Sequence, residues 1–127
     1  CVNIDAHLDL RKPSPRISSG SPFYLAIENR VIRGPDLVEF GIQTHCNAPE
    51  LWTYASQNGV QIIGFDALRN SRAIFNFKQS LEKLAGQVDA IVVSLDLDSA
   101  AEAFAPGVSA PQSEGFSPTD LVEICEE

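Results

Sequence analysis

Along this chain, short apolar stretches with strand-like patterning alternate with stretches spaced like one face of a helix. Cys1-Val2-Asn3-Ile4 is apolar and β-prone, and predicts a first strand that ends by delivering Asp5. Leu37 to Ile42 alternates and predicts a second strand, and Val60 to Phe65 a third. Val88 to Leu95 reads as the fourth, a near-continuous apolar run of the kind expected where both faces of a strand are covered. Between them, Phe23 to Glu28 suggests a short helix. Leu51, Tyr54 and Ala55 form a helical stripe, with Asn47 as its N-cap, Glu50 as capping-box partner and Asn58-Gly59 as its end. Ile74, Phe77, Leu81 and Leu84 mark a longer helix stopped by Gly86. Ser117-Pro118-Thr119-Asp120 opens a last one over Leu121, Val122 and Ile124. Lys12 to Pro22, with three prolines, reads as loop, as does the aperiodic stretch from Asp98 to Phe116. Strands alternating with helices predict an α/β fold, a parallel sheet with helices on both faces. Trp52 and the phenylalanines are assigned to the core.

The chemistry lies at two strand ends. Asn3-Ile4-Asp5-Ala6-His7-Leu8-Asp9 alternates two carboxylates and an imidazole with apolar residues. On a straight strand Asp5 and Asp9 would stand roughly 13 Å apart, at ~3.3 Å per residue. They can serve one centre only if the chain curls after Asp5. Ser94-Leu95-Asp96-Leu97-Asp98 repeats the theme after the fourth strand. In a parallel sheet, ligands gather beyond the carboxyl ends of the strands, where both clusters fall. A lone Asp there merely caps a turn. Four Asp and one His brought together repel unless a cation balances them. Mainly carboxylate ligands with an imidazole suit Mn²⁺ before Zn²⁺.

Bulk properties narrow the class. With 44% hydrophobic and 20% charged residues, the 127-residue chain matches ordinary globular domains. A net charge of −8 argues against nucleic acid as a partner, which Lys and Arg would have to neutralise. The apolar runs are too short to span a membrane. Cys1, Cys46 and Cys125 form no metal-binding spacing, and their odd number points to a reducing, cytoplasmic setting. Adjacent His45 is the single base near Cys46, so a cysteine nucleophile is not expected. The chain begins at Cys1 and contains no methionine. It is read as one partial α/β domain, 1–127, from the middle of a longer protein.

Asp5-Ala6-His7-Leu8-Asp9 resembles the Asp-Ala-His-x-Asp motif of the ureohydrolases, the family of arginase, agmatinase and formimidoylglutamase. Ser94-Leu95-Asp96-Leu97-Asp98, followed by Ala105-Pro106-Gly107-Val108-Ser109-Ala110-Pro111, is similar to that family's second motif. The resemblance implies an arginase-like three-layer fold and a binuclear manganese centre. Asp5 and Asp96 would bridge the ions, with His7 and Asp98 on one ion and Asp9 on the other. A bridging hydroxide would attack an amidine or guanidine carbon. The chain departs from the family in carrying neither its upstream histidine ligand nor its downstream substrate-side glutamate, and in having Glu102 where a small residue is usual. Ser18-Ser19-Gly20-Ser21-Pro22-Phe23 lacks the loop histidine of arginases and agmatinases, and is similar to the Ser-Gly-Thr-Pro-Phe element of formimidoylglutamases. That branch hydrolyses N-formimidoyl-glutamate in histidine breakdown. Arg11 or Arg16 would then hold a substrate carboxylate. Ser19 and Asn47 are further candidates for substrate contact. Family members commonly form homo-oligomers.

Four other readings are weighed. Guanidine hydrolysis of the arginase or agmatinase type is the nearest, and a non-catalytic metal-binding remnant of the fold is the second. Ile91 to Asp98 also resembles the Asp-x-Asp strand of haloacid-dehalogenase-type phosphatases, which leaves Asp5-Ala6-His7 unexplained. An EF-hand from Asp98 fails at Ala103, where the loop needs glycine.

Overall fold

The computed structural model describes residues 1–69 and 71–127. Four strands, β1 (Val2–Ile4), β2 (Val38–Ile42), β3 (Gln61–Gly64) and β4 (Val93–Leu95), form one sheet in the order β3-β2-β1-β4. All three pairings are parallel. The helices are α1 (Pro22–Glu28), α2 (Pro49–Asn58), α3 (Phe65–Leu68), α4 (Ala73–Ala85) and α5 (Pro118–Cys125).

Alternation along β1 and β2 sorts the core into two layers. Val2, Ile4, Val38 and Phe40 pack with Leu68 of α3, Ile74, Phe77 and Leu84 of α4 and Ile124 of α5. On the opposite face, Leu37 and Ile42 join Leu8, Leu10, Ala55 and Val60, covered by Phe23 and Ile27 of α1 and Leu51 and Trp52 of α2. The result is the three-layer arrangement the sequence predicts. β1 lies in the interior of the sheet with all three residues buried, so its C-terminal end opens between β2 and β4.

Residue 42 rejoins the face of residue 37 because the β2–β3 register shifts between Phe40 and Ile42. Gly41 makes that shift with φ +90, a conformation that suits glycine. A Cβ there would meet the Phe116 ring at 2.5 Å. Gly59 ends α2 in the left-handed conformation expected of a helix C-cap (φ 73), and Ser117 caps α5, where it also forms a capping box with Asp120.

Four expectations are corrected. The N-cap of α2 is Ala48, with no side-chain cap. The residue before Pro49 is driven extended, which pushes Asn47 out of the cap position. The third strand stops at Gly64, and Phe65 begins the short α3. The fourth covers only Val93–Leu95 and is not enclosed: no described strand pairs with its outer side, and Val93 and Leu95 remain 48% and 39% exposed. Phe75 and Phe104 lie at the surface rather than in the core.

Candidate metal centre

Each acidic cluster is built on the same local device. Asp5 Oδ1 accepts the backbone N–H of His7 at 2.7 Å, and Asp96 Oδ1 accepts that of Asp98 at 3.0 Å. Both are turns in which an aspartate folds the chain two residues on. The turns are adjacent in space because the ladder continues through them: Asp96 N donates to Ile4 O at 2.9 Å, and Asp5 N to Phe40 O at 3.1 Å. The curl required after Asp5 completes itself at Asp9, whose φ of 49 is left-handed. Such strain in a non-glycine residue is tolerated where neighbouring structure over-determines it. The carbonyl of Asp9 accepts the Phe23 N–H at the start of α1.

The two clusters interlock. Ala6 N donates to Asp98 Oδ1 at 3.4 Å, and His7 Nδ1 lies 3.0 Å from Asp98 Oδ2 and 3.5 Å from Asp5 Oδ1. One ligand atom each from Asp5, His7 and Asp98 lies within 4.8 Å of the other two, a spacing a single cation can bridge. Asp9 and Asp96 line the same cavity. Its further walls come from Arg11, Lys12, Ser19, Asn47, Glu50 and Ser109. Thus all five sequence-derived metal candidates share one cavity, and Arg11, Ser19 and Asn47 join them. Arg16 is exposed and does not line it.

Electrostatics agrees with a cation site. The His7 imidazole is pushed up to about 10 by its hydrogen bonds to Asp5 and Asp98. Burial, reinforced by the charge of Asp5, lifts the Asp9 carboxyl to about 7. Burial also raises Asp5, whereas contacts with His7 and Asp5 outweigh burial at Asp98 and hold it low. Protons here do what a metal would do better: they relieve crowded carboxylates. The donor set, oxygen-rich with one imidazole, fits Mn²⁺.

Asn47 is the scaffold of the first motif. Its Oδ1 accepts from Leu8 N at 2.8 Å, and its Nδ2 donates to Ala6 O at 2.9 Å and to Gln43 O at 2.7 Å. One buried side chain therefore ties the loop after β1 to the exit of β2. Burial raises the Cys46 thiol, away from the reactive thiolate. Two residues that sequence reasoning passed over stand behind Asp5: buried Asn3 and fully buried Glu39, hydrogen-bonded at 2.9 Å. The available signal was a polar residue at position 3 inside an otherwise apolar strand.

The model of the Arginase family matches residues 1–127. The chain belongs to the arginase family. It is 30% identical over 126 residues to the formimidoylglutamase of Staphylococcus carnosus, an alignment covering 97% of this chain and 38% of that protein. The crystal structure of formimidoylglutamase from Bacillus subtilis superposes with a TM-score of 0.92 at 28% identity, covering 97% of this chain and 39% of that one. The Trypanosoma cruzi formiminoglutamase with two Mn²⁺ gives a TM-score of 0.87 at 26% identity, covering 98% and 41%. The chain thus spans under half the length of the relatives it matches. Among the described residues, no helix is long and apolar enough to cross a membrane.

Proposed function

We propose that this arginase-family chain carries most of the metal centre of a formimidoylglutamase, which hydrolyses N-formimidoyl-glutamate to glutamate and formamide. The convergence of Asp5, His7 and Asp98 within 4.8 Å, with Asp9 and Asp96 on the same cavity, carries the reading. Asp5, His7 and Asp98 would hold one Mn²⁺; Asp9 would hold a second, and Asp5 and Asp96 would be shared. When bound, the ions supply Lewis acidity and a water acidic enough to react as hydroxide at neutral pH. In the overall reaction a water oxygen bonds to the amidine carbon, the bond from that carbon to the glutamate nitrogen breaks, and the nitrogen takes up a proton.

The chain's own residues do the positioning. Asp5 and Asp96 are preset by their turns, so little ordering remains for the moment of binding. Arg11 and Lys12 place two cationic side chains on the wall of a cavity whose floor is anionic. That asymmetry suits a substrate with a cationic amidine head and carboxylate tails. It favours formimidoyl-glutamate over agmatine, which has no carboxylate. The formimidoylglutamase names of the relatives support the same choice. The share of those relatives that the chain spans supports the view that residues 1–127 by themselves turn over little.

Formamide release from N-formimidoyl-glutamate, agmatine and arginine, assayed with Mn²⁺ (urea release for the guanidines), tests the proposal. The intact protein is expected to act on the first, and activity confined to a guanidine would overturn it.

A further inference from the structure

Glu39 has no exposed surface, and the metal centre leaves it without an assigned role. Its Oε2 accepts from Asn3 Nδ2 at 2.9 Å, while Oε1 is buried without a partner among the described residues. A protein tolerates such a group at a cost in stability, so its retention calls for a reason. The register supplies one. Asn3 and Glu39 are direct partners across β1 and β2, one side-chain row below Asp5 on the same face of the sheet.

The same Asn3 Nδ2 also donates to Asp5 Oδ2 at 3.3 Å, while Asp5 Oδ1 takes the His7 N–H. Both oxygens of Asp5 are therefore oriented from the protein side. An asparagine amide has two unlike ends: its NH₂ can donate to an acceptor oxygen, and its carbonyl cannot. An oxygen of Glu39 at the back of Asn3 accepts a hydrogen bond and so turns the NH₂ towards Glu39 and Asp5 together. We propose that Glu39, acting through Asn3, is a positioning residue that fixes the Asp5 carboxylate in the orientation a cation requires. This rests on the metal-centre reading of the same site. With an apolar residue at 39, Asn3 is free to reverse its amide and Asp5 to rotate. The loss then falls on cation binding, whereas the fold exchanges an unpartnered buried oxygen for hydrocarbon contact.

Mn²⁺ titration of the intact protein by calorimetry, with thermal unfolding of the metal-free form alongside, separates these effects. Glu39→Leu should weaken Mn²⁺ binding about 10- to 100-fold, the range for outer-shell partners of metal ligands, while the metal-free unfolding midpoint holds or rises. Glu39→Gln, which keeps an acceptor of the same shape, should restore wild-type affinity. Asn3→Leu should weaken binding as Glu39→Leu does, and the double variant should be no weaker than Asn3→Leu alone. If Glu39→Leu does not fold, Glu39→Met, which fills the space more adaptably, is read the same way. Wild-type affinity in the apolar variant, an equal loss in Glu39→Gln, or additive losses in the double variant would overturn the positioning role alone. Failure of the wild type to bind Mn²⁺ would overturn the metal centre with it.

Discussion

Asp5 and Asp96 occupy matching places at the ends of neighbouring parallel strands, and each accepts the backbone N–H two residues further on. Ninety-one positions of sequence separate them, yet one ladder step joins them, with Asp96 N donating to Ile4 O. Parallel pairing makes this possible. It carries both C-terminal ends to one rim, where two short acidic motifs become a single anionic cluster.

Proton release should accompany metal binding. The His7 imidazole, at about 10, holds a proton at neutral pH that Mn²⁺ must displace, and Asp9, at about 7, holds part of another. Affinity should therefore climb as pH rises from 6 to 9. Calorimetric titrations in buffers of different ionisation enthalpy measure the protons released. A pH-independent affinity would contradict this.

The same groups set the stability of the metal-free form. Asp9 and His7 both bind protons more tightly folded than unfolded, so the folded state carries the excess protons. Stability should fall from the ordinary carboxylate range to about pH 7 through Asp9. It should fall again from about 6.5, the unfolded value, towards 10 through His7. Asp98, held low, acts in the opposite sense only at acid pH. Bound Mn²⁺ replaces those protons, so its stabilising shift should be larger at pH 9 than at pH 6. Paired thermal melts would check this.

Asn47→Ala leaves the buried Leu8 N–H unpaired and removes one donor each from Ala6 O, which keeps Gln43 N, and Gln43 O, which keeps the Cys46 thiol. A loss of roughly 1–3 kcal/mol is expected from the one unmet buried donor. Denaturant unfolding measures it, and Mn²⁺ affinity should drop as well, because the loop of Ala6 to Leu8 loosens.

Arg11→Ala should raise KM for a dicarboxylate amidine with little effect on kcat, whereas Arg16→Ala should change neither. The contrast follows from position: Arg11 lines the cavity and Arg16 does not. Steady-state kinetics on both variants would decide it, and equal effects would contradict the assignment.

How much could be read in advance divides along physical lines. The metal candidates were legible because alternating acids at a strand end have no inexpensive structural explanation, and the pattern is local. The curl at Asp9 was also legible, as a requirement of distance. By sequence Asn47 looks like a cap, because its clamp on Ala6, Leu8 and Gln43 joins segments about forty residues apart, which no local pattern contains. Glu39 in an alternating strand looks like the solvent-facing member; its burial follows from the cover that α1 and α2 supply. The apolar run from Val88 predicts a longer fourth strand than Val93–Leu95, because such a run signals burial without saying which neighbours provide it.

The decisive measurement is Mn²⁺ stoichiometry and affinity in the intact protein, wild type against Asp96→Ala. If the two motifs form one centre, the wild type binds two ions per chain. Asp96→Ala then loses the high-affinity phase, although His7 and Asp5 on the other strand are untouched. Wild-type stoichiometry and affinity in Asp96→Ala would mean that the ends of β1 and β4 do not share their cations, and the metal-centre account would be wrong.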